Sequence, residues 1–301
     1  GAGDHPLEVN YRFPGGVVRA ADTLLRHNRR RVTKVIHAHH AATDGFLVAP
    51  STGSSVEVTL QAITTALAAG SAPGEIAVLT RVNSLLAPVQ VGLAAAGVPT
   101  NGGVGLEFLE RTAVRAALAW LRLARTQGNF SSADVAEALR RPSRSMSPKI
   151  AEWVGEQTTF AGLRRLAQRI DNDKVAEFAD DIERLQQMVA SRGTTAQLLA
   201  ALRDTMGLAN SIAKLDVHRR GMNRAAQNDD LTALAQLAAL QPDPSAFESW
   251  LRGALATKWN GAGVTLATVH RVKGQEWPFV VVHQADADQF PHRLAEDEEE
   301  E

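Results

Sequence analysis

The sequence predicts an α/β fold: a parallel-sheet domain interrupted by an all-helical insertion. Three observations point there. Short apolar runs alternate with helical spacing up to about residue 105, the strand signal then vanishes until about residue 260, and it returns after Gly261-Ala262-Gly263. Such alternation argues for parallel strands joined by crossover helices. A strand pair standing alone is marginally stable, so the two returning strands belong in the sheet begun by the first zone.

Taken in order, apolar runs at residues 32–36, 46–49 and 76–79 predict strands, and residues 16–25, 56–67 and 85–96 carry helical spacing. From 106 to 257 one helical segment follows another, with breaks at Gly128-Asn129, Arg141-Pro142, Arg192-Gly193, Gly207, Gly221 and from Pro242 to Pro244. Ser131 with Asp134 three residues on suits a helix start, as does Asp243-Pro244. Apolar runs at 264–266 and 279–282 close the pattern, and the acidic stretch 296–301 reads as a solvated end. The expected division is 1–105 and 261–301 for the sheet domain and 106–260 for the helical insertion.

Composition narrows the function classes. A chain of 301 residues with 45% hydrophobic residues fills about two globular cores. Cysteine is absent, which excludes disulfides and thiolate metal sites. No apolar run approaches the ~20 residues of a membrane span and no basic-then-apolar leader opens the sequence, so a cytoplasmic protein without a membrane partner is expected. The formal charge of -1 conceals an asymmetry, since Arg26, Arg29, Arg30, Arg31 and Lys34 cluster near one end. They read as a solvated helix end whose cations complement the dipole, with a DNA-tracking patch as the alternative.

Chemistry concentrates in three loops. Parallel sheets bind ligands at the carboxyl ends of their strands, and "TVHRVKGQEW", 268–277, leaves such an end. Gly274 permits close backbone approach, Lys273 supplies a mobile cation, and Glu276 offers an acceptor suited to a hydroxyl. The combination suits a phosphate-bearing ligand or a sugar-phosphate backbone, against the plainer reading of a polar loop. Asn10-Tyr11-Arg12-Phe13, followed by Pro14-Gly15-Gly16, sets an aromatic ring beside a guanidinium where a helix begins, a base-stacking and phosphate-clamping pair. Arg81-Val82-Asn83 follows the predicted strand 76–79. On spacing alone, each of these last two is more simply a surface loop. His37-Ala38-His39-His40 has spacing able to ligate zinc, but no carboxylate cluster follows and no metal is expected. Trp120, Trp153 and Trp250 read as core, and Trp277 as packing on the adjoining strand.

The order of these patches adds a resemblance. "EVNYRFPGGVVRAADTLL" resembles motif IV of the UvrD, Rep and PcrA group of superfamily 1A DNA helicases. The stretch from "IAVLTRVNS" through "GVPTNGGVGLEFLER" is similar to the next conserved region, which leads into an inserted domain, and "VTLATVHRVKGQEWPFVVVHQADADQFPH" is similar to motif V. Nearly the whole chain is covered, the middle more by helical character than by residue identity. The resemblance implies a RecA-like domain, 2A, interrupted by a mobile helical domain, 2B, in an ATP-dependent 3′-to-5′ DNA helicase acting in DNA repair or related processes. By position it implies that Tyr11 stacks near the adenine, that Arg12 is the catalytic arginine finger reaching the γ-phosphate, and that Gly274 and Glu276 contact phosphate and ribose. Arg81, Asn83, Thr268, His270 and His292 are implied to face single-stranded DNA. Segments 10–13 and 270–276 are expected to meet on one rim of a common sheet.

Departures matter as well. The sequence holds no Gly-x-x-x-x-Gly-Lys-Ser/Thr and no acidic pair for Mg²⁺, so ATP and Mg²⁺ are expected to be bound mainly by another half of the motor. This chain alone is not expected to hydrolyse ATP. Where the family often has a Thr-Arg-Gly-Ile-Gly-like turn on duplex DNA, residues 142–148 carry serines, and serine disfavours positive φ. That argues against a backbone grip on duplex, although Ser145 and Ser147 keep hydroxyls able to donate to phosphates. Expected partners are single-stranded DNA, single–double-strand junctions, and repair or replication proteins reached through the helical block. The alternative from another class is a non-enzymatic DNA-binding or protein-docking module. A third is a metal hydrolase built on His37, His39 and His40.

Overall fold

The computed structural model describes residues 8–27, 35–39, 45, 47–49, 53–217, 226–257, 261–287 and 289–290. The chain divides into two compact units, Gly1–Gly53 with Ala287–Glu301, and Ser54–Asp286.

In the first unit, strand β1 (Val9–Asn10) pairs in parallel with β2 (His37–Ala38). His37 N–H donates to the Glu8 carbonyl at 2.7 Å and His39 N–H to that of Asn10 at 2.8 Å, which fixes the register. The strand therefore starts later than the apolar run 32–36 suggests: Val35 and Ile36 carry no strand, and 32–34 lie outside the described residues. The run at 46–49 forms no strand where it is described, because it has no backbone ladder to join; Leu47 and Val48 are 89% and 74% exposed, and Phe46 lies outside the described residues. Helix α1 (Gly15–Leu25) follows extended Pro14, whose carbonyl accepts from Val18 N–H at 3.1 Å.

The second unit is built on a wholly parallel sheet of β3 (Ile76–Thr80), β4 (Thr100–Gly102), β5 (Val264–Thr268) and β6 (Phe279–Val282), in the order β4-β5-β3-β6. Strands from the first and third zones thus share a sheet, as the sequence predicts. β1 and β2 are the exception: each is two residues long, and they pair with each other in a separate two-stranded sheet.

Helix α2 (Ser55–Ala68) begins where the Ser54 hydroxyl accepts from Glu57 N–H. Helix α3 (Leu86–Ala95) is buried on almost every side. Its Leu86, Val89 and Leu93 pack with Ile76, Val78, Val264 and Leu266 of the sheet, while its Ala87 and Val91 join the core of the helices that follow. A helix apolar all round is a helix covered all round. Buried Gln90 of α3 is satisfied by Val104, accepting from its N–H at 2.8 Å and donating to its carbonyl at 3.0 Å.

From α4 (Thr112–Arg125) the chain is helical: α5 (Ser132–Arg140), α6 (Pro148–Gly155), α7 (Phe160–Ile170), α8 (Asp173–Ala190), α9 (Thr195–Ala200), a π-helical turn (Ala201–Thr205), α10 (Leu208–Val217), α11 (Ala226–Leu240) and α12 (Phe247–Ala256). Trp120 sits fully buried at its centre, edge-on to Phe178 at 5.4 Å, its Nε1–H donating to the Arg141 carbonyl at 2.7 Å. Trp153 and Trp250 are partly buried against the same core. Ser131 precedes α5 but makes no side-chain cap, and Asp134 pairs instead with Arg122 at 2.7 Å. Asp243 closes a turn, accepting from Ser245 N–H at 2.8 Å, before α12 starts at Phe247.

The serine turn corrects its expectation. Ser145 adopts φ 50°, the left-handed backbone that serine was expected to avoid. Its carbonyl accepts from Lys174 Nζ at 2.9 Å, and Ser143 N–H donates to Ser211 Oγ at 3.2 Å, so tertiary bonds hold the turn against its own preference. Ser147 is the cap of α6, accepting from Ile150 N–H at 3.4 Å. Arg144, between them, is turned inward over the rings of Trp120 and Phe178 and pairs with Asp181. No helix among the described residues is long and apolar enough to cross a membrane.

Candidate functional site

Because β3, β5 and β6 run parallel with Thr80 opposite Thr268 and Leu79 opposite Val282, the residues that follow them emerge on one rim of the sheet. Val269 N–H donates to the Thr80 carbonyl at 3.0 Å and His283 N–H to that of Leu79 at 2.8 Å, which extends the ladder beyond the strands. On this rim stand Arg81, half-buried, and Asn83, exposed, after β3, with half-buried Thr268 ending β5 and exposed His270 beyond it. A guanidinium, an amide, a hydroxyl and an imidazole are thereby brought together by strand register, and they are groups that hold phosphates.

The loop after β3 is fixed from within. The Thr80 hydroxyl donates to the Val82 carbonyl at 2.8 Å, and Asn83 opens a tight 3-10 turn, Asn83–Leu85. Ser84 in that turn is 1% exposed, and its hydroxyl donates to the Asp230 carboxylate of α11. Arg111, at the start of α4 with its guanidinium 5.4 Å from the Phe108 ring centre, donates to Asp230 Oδ1 at 2.8 Å and to Ser84 Oγ at 2.9 Å. Burial pushes the Asp230 carboxyl above the usual carboxylate range, against the pull of its two donors. Sequence reasoning missed this trio. Arg111 lay in a quoted motif without a role, and the available signal was Asp229-Asp230 directly before the apolar part of a helix.

The connection from β5 to β6 carries the chain past β3 and contains Gly274 and Glu276. Gly274 has φ +92°, and a Cβ built there would meet nothing within 4 Å. Its backbone thus requires glycine by conformation and stands beside open space, a geometry in which a peptide N–H can approach a phosphate. Glu276 is exposed, and Trp277, half-buried, precedes β6.

Beyond β6, His283 is 1% exposed and its Nδ1 shares a hydrogen bond with the Thr59 hydroxyl of α2 at 2.8 Å. Burial lowers its pKa to about 4, so the ring is neutral at neutral pH. It too escaped sequence reasoning, although a histidine directly after an apolar run was there to see.

The expectation of one common sheet is corrected here: Tyr11 and Arg12 belong to the first unit and follow β1 of the two-stranded sheet, whereas 270–276 follow β5 of the four-stranded one, because the two-residue β1 bonds to β2. Asn10 Oδ1 accepts from the N–H groups of Arg12 and Phe13, both at 2.9 Å, a turn that shapes the approach to α1. Tyr11 is 65% exposed with its ring 4.6 Å from that of His39, and the Arg12 guanidinium lies 5.5 Å from the Phe13 ring. His292 and His40 lie outside the described residues. Among the described residues no group of three or more His, Cys, Asp or Glu could hold a metal ion. His37 is part of β2 rather than of a loop.

The model of the UvrD-like helicase C-terminal domain matches residues 6–190, and a second model of the same description matches residues 263–296. The chain is similar to DNA helicase II of Escherichia coli strain K12, 24% identical with 97% of this chain and 43% of the relative covered. It is also similar to the ATP-dependent DNA helicase UvrD1 of Mycobacterium tuberculosis, 25% identical over 97% of this chain and 42% of the relative. The ATP-dependent DNA helicase PcrA of Staphylococcus epidermidis is 21% identical, over 95% and 41%. The chain therefore spans about two-fifths of the length of these relatives.

Proposed function

The chain belongs to the UvrD-like helicase C-terminal domain family, and we propose that it forms the C-terminal motor half of a cytoplasmic, ATP-dependent 3′-to-5′ DNA helicase. In this proposal residues 1–105 and 261–301 are the 2A domain and residues 106–260 the inserted 2B domain. What supports DNA binding is the rim itself: Thr268 ends, and Arg81, Asn83 and His270 follow, register-paired parallel strands. Such groups grip a sugar-phosphate backbone without reading bases, as sequence-tolerant translocation requires. The partners are single-stranded DNA and its junctions with duplex.

ATP, when bound, supplies the phosphoryl transfer that drives movement. Toward it, exposed Tyr11 offers a ring face to the adenine, and Arg12 neutralises charge gathering on the γ-phosphate. Gly274 offers its N–H to a phosphate and Glu276 accepts from a ribose hydroxyl. These residues fit a supporting role, since the sequence has no phosphate-cradling glycine-lysine loop; Mg²⁺ and most of the triphosphate fall to the other half of the motor. By itself the chain releases no phosphate from ATP.

The test is binding of a fluorescent oligo-dT by this chain across a salt series. Affinity should fall steeply as salt rises, in proportion to the phosphates neutralised, and Arg81→Ala should weaken dT and mixed-sequence strands alike. A chain that does not bind, or whose binding ignores salt, is a docking module instead.

A further inference from the structure

The trio Ser84, Arg111 and Asp230 joins three elements that the sequence keeps far apart: the turn after β3, the first residue before α4, and helix α11. Ser84 and Asp230 are 146 positions apart in the chain. Both are 1% exposed, so no solvent can replace the hydrogen bonds if the carboxylate is lost. The segment between them and β3 carries Arg81 and Asn83. Its near end is pinned by the Thr80 hydroxyl on the Val82 carbonyl, and its far end by the Ser84 hydroxyl on the Asp230 carboxylate of α11.

We infer that Asp230 is a positioning residue for the strand-binding rim: through Ser84, and oriented by Arg111, it ties the turn bearing Asn83 to helix α11, so that the inserted helices set the geometry in which the rim meets single-stranded DNA. This rests on the proposal that Arg81 and Asn83 contact the strand. Arg111 neutralises the carboxylate and holds Ser84 at the same time, so one acidic side chain serves both the start of the helical segment and the rim. A purely structural ion pair would need only Arg111 and Asp230. The Ser84 bonds give the buried carboxylate a second donor and at the same time attach the turn after β3 to that pair.

Three variants of the chain separate these roles, each followed by oligo-dT anisotropy and by amide hydrogen exchange with and without DNA. Ser84→Ala leaves the Arg111–Asp230 pair in place and should weaken oligo-dT by about tenfold. It should also speed exchange at residues 82–85, with β5 amides unchanged. Asp230→Asn should do the same to the rim while also lowering thermal stability. Arg81→Ala, the control, should weaken binding without altering exchange at 82–85. If Arg81→Ala binds like the parent chain, the DNA assignment of the rim fails. If Arg81→Ala weakens binding while Ser84→Ala keeps both its affinity and its exchange pattern, the positioning role of Asp230 is overturned. Should Asp230→Asn not fold, Ser84→Ala decides alone. If the parent chain binds no DNA, unchanged exchange at 82–85 in Ser84→Ala still overturns the tie to α11.

Discussion

Arg12 and His283 show how differently single residues disclose themselves. Arg12 was singled out by the motif it resembles, since on spacing alone residues 10–13 read more simply as a surface loop, and the structure keeps it exposed. In a complete UvrD-like helicase carrying this chain, Arg12→Ala should leave strand binding intact and lower steady-state ATP turnover by roughly 10³-fold or more; a variant with unchanged turnover would remove Arg12 from the mechanism. His283 was illegible because its role comes from burial, which only the assembled sheet and α2 create. Its folded pKa of about 4 lies below the ordinary value of 6.5. The unfolded chain therefore takes up the proton first as pH falls, so the stability it contributes is complete above about pH 6.5 and is lost toward pH 4. Between about pH 7 and pH 5 the loss is about 2 kcal/mol. His283→Gln should remove that part of the pH dependence in thermal melts compared with the parent chain. Parallel curves for the two proteins would contradict it.

At the scale of elements, the long periodic segments were readable and the short ones were not. α2, α3, β3, β5 and β6 lie within a residue or two of their predicted bounds, since each has enough apolar positions to declare its period. β2 is displaced from the apolar run 32–36, because a two-residue strand is set by the partner it bonds and not by its own pattern. The serine turn failed for a related reason: intrinsic preference argued against positive φ at Ser145, and Lys174 and Ser211, remote in sequence, impose the turn. Ser147→Ala should cost about 1 kcal/mol in chemical denaturation, the usual worth of a helix cap. Two glycines with positive φ should respond unequally. Gly274→Ala has open space and should cost about 1–2 kcal/mol of backbone strain. Gly103→Ala drives a Cβ to 2.2 Å from Gln90 Oε1 and should be worse, because it also breaks the clamp between α3 and Val104. Equal melting temperatures for the two variants would refute this account.

At the scale of the molecule, the α/β class and the helical insertion were visible in the order of apolar runs, and the meeting of β3 with β5 and β6 followed from the weakness of isolated strands, whereas β4, three residues without an apolar run, went unread. What the sequence concealed is how tightly the helices adhere to the sheet. The Ser54–Asp286 unit contains both, and α3 supplies residues to the two cores at once. Hydrogen exchange should accordingly give amides of β3 and of α8 the same opening free energy, as one cooperative unit. Separate values, with the helices opening well before the sheet, would mean two independent bodies.

The position of α3 also constrains any large movement. A rod dry over almost its whole circumference has little surface along which a neighbour can slide without wetting it. Should the inserted helices turn as a block, the plane of slip must pass outside residues 86–95 and spare the Asp230 carboxylate. α11 and the segment bearing Arg81 would then travel together, and the joint would lie farther out among the helices than the end of the sheet domain.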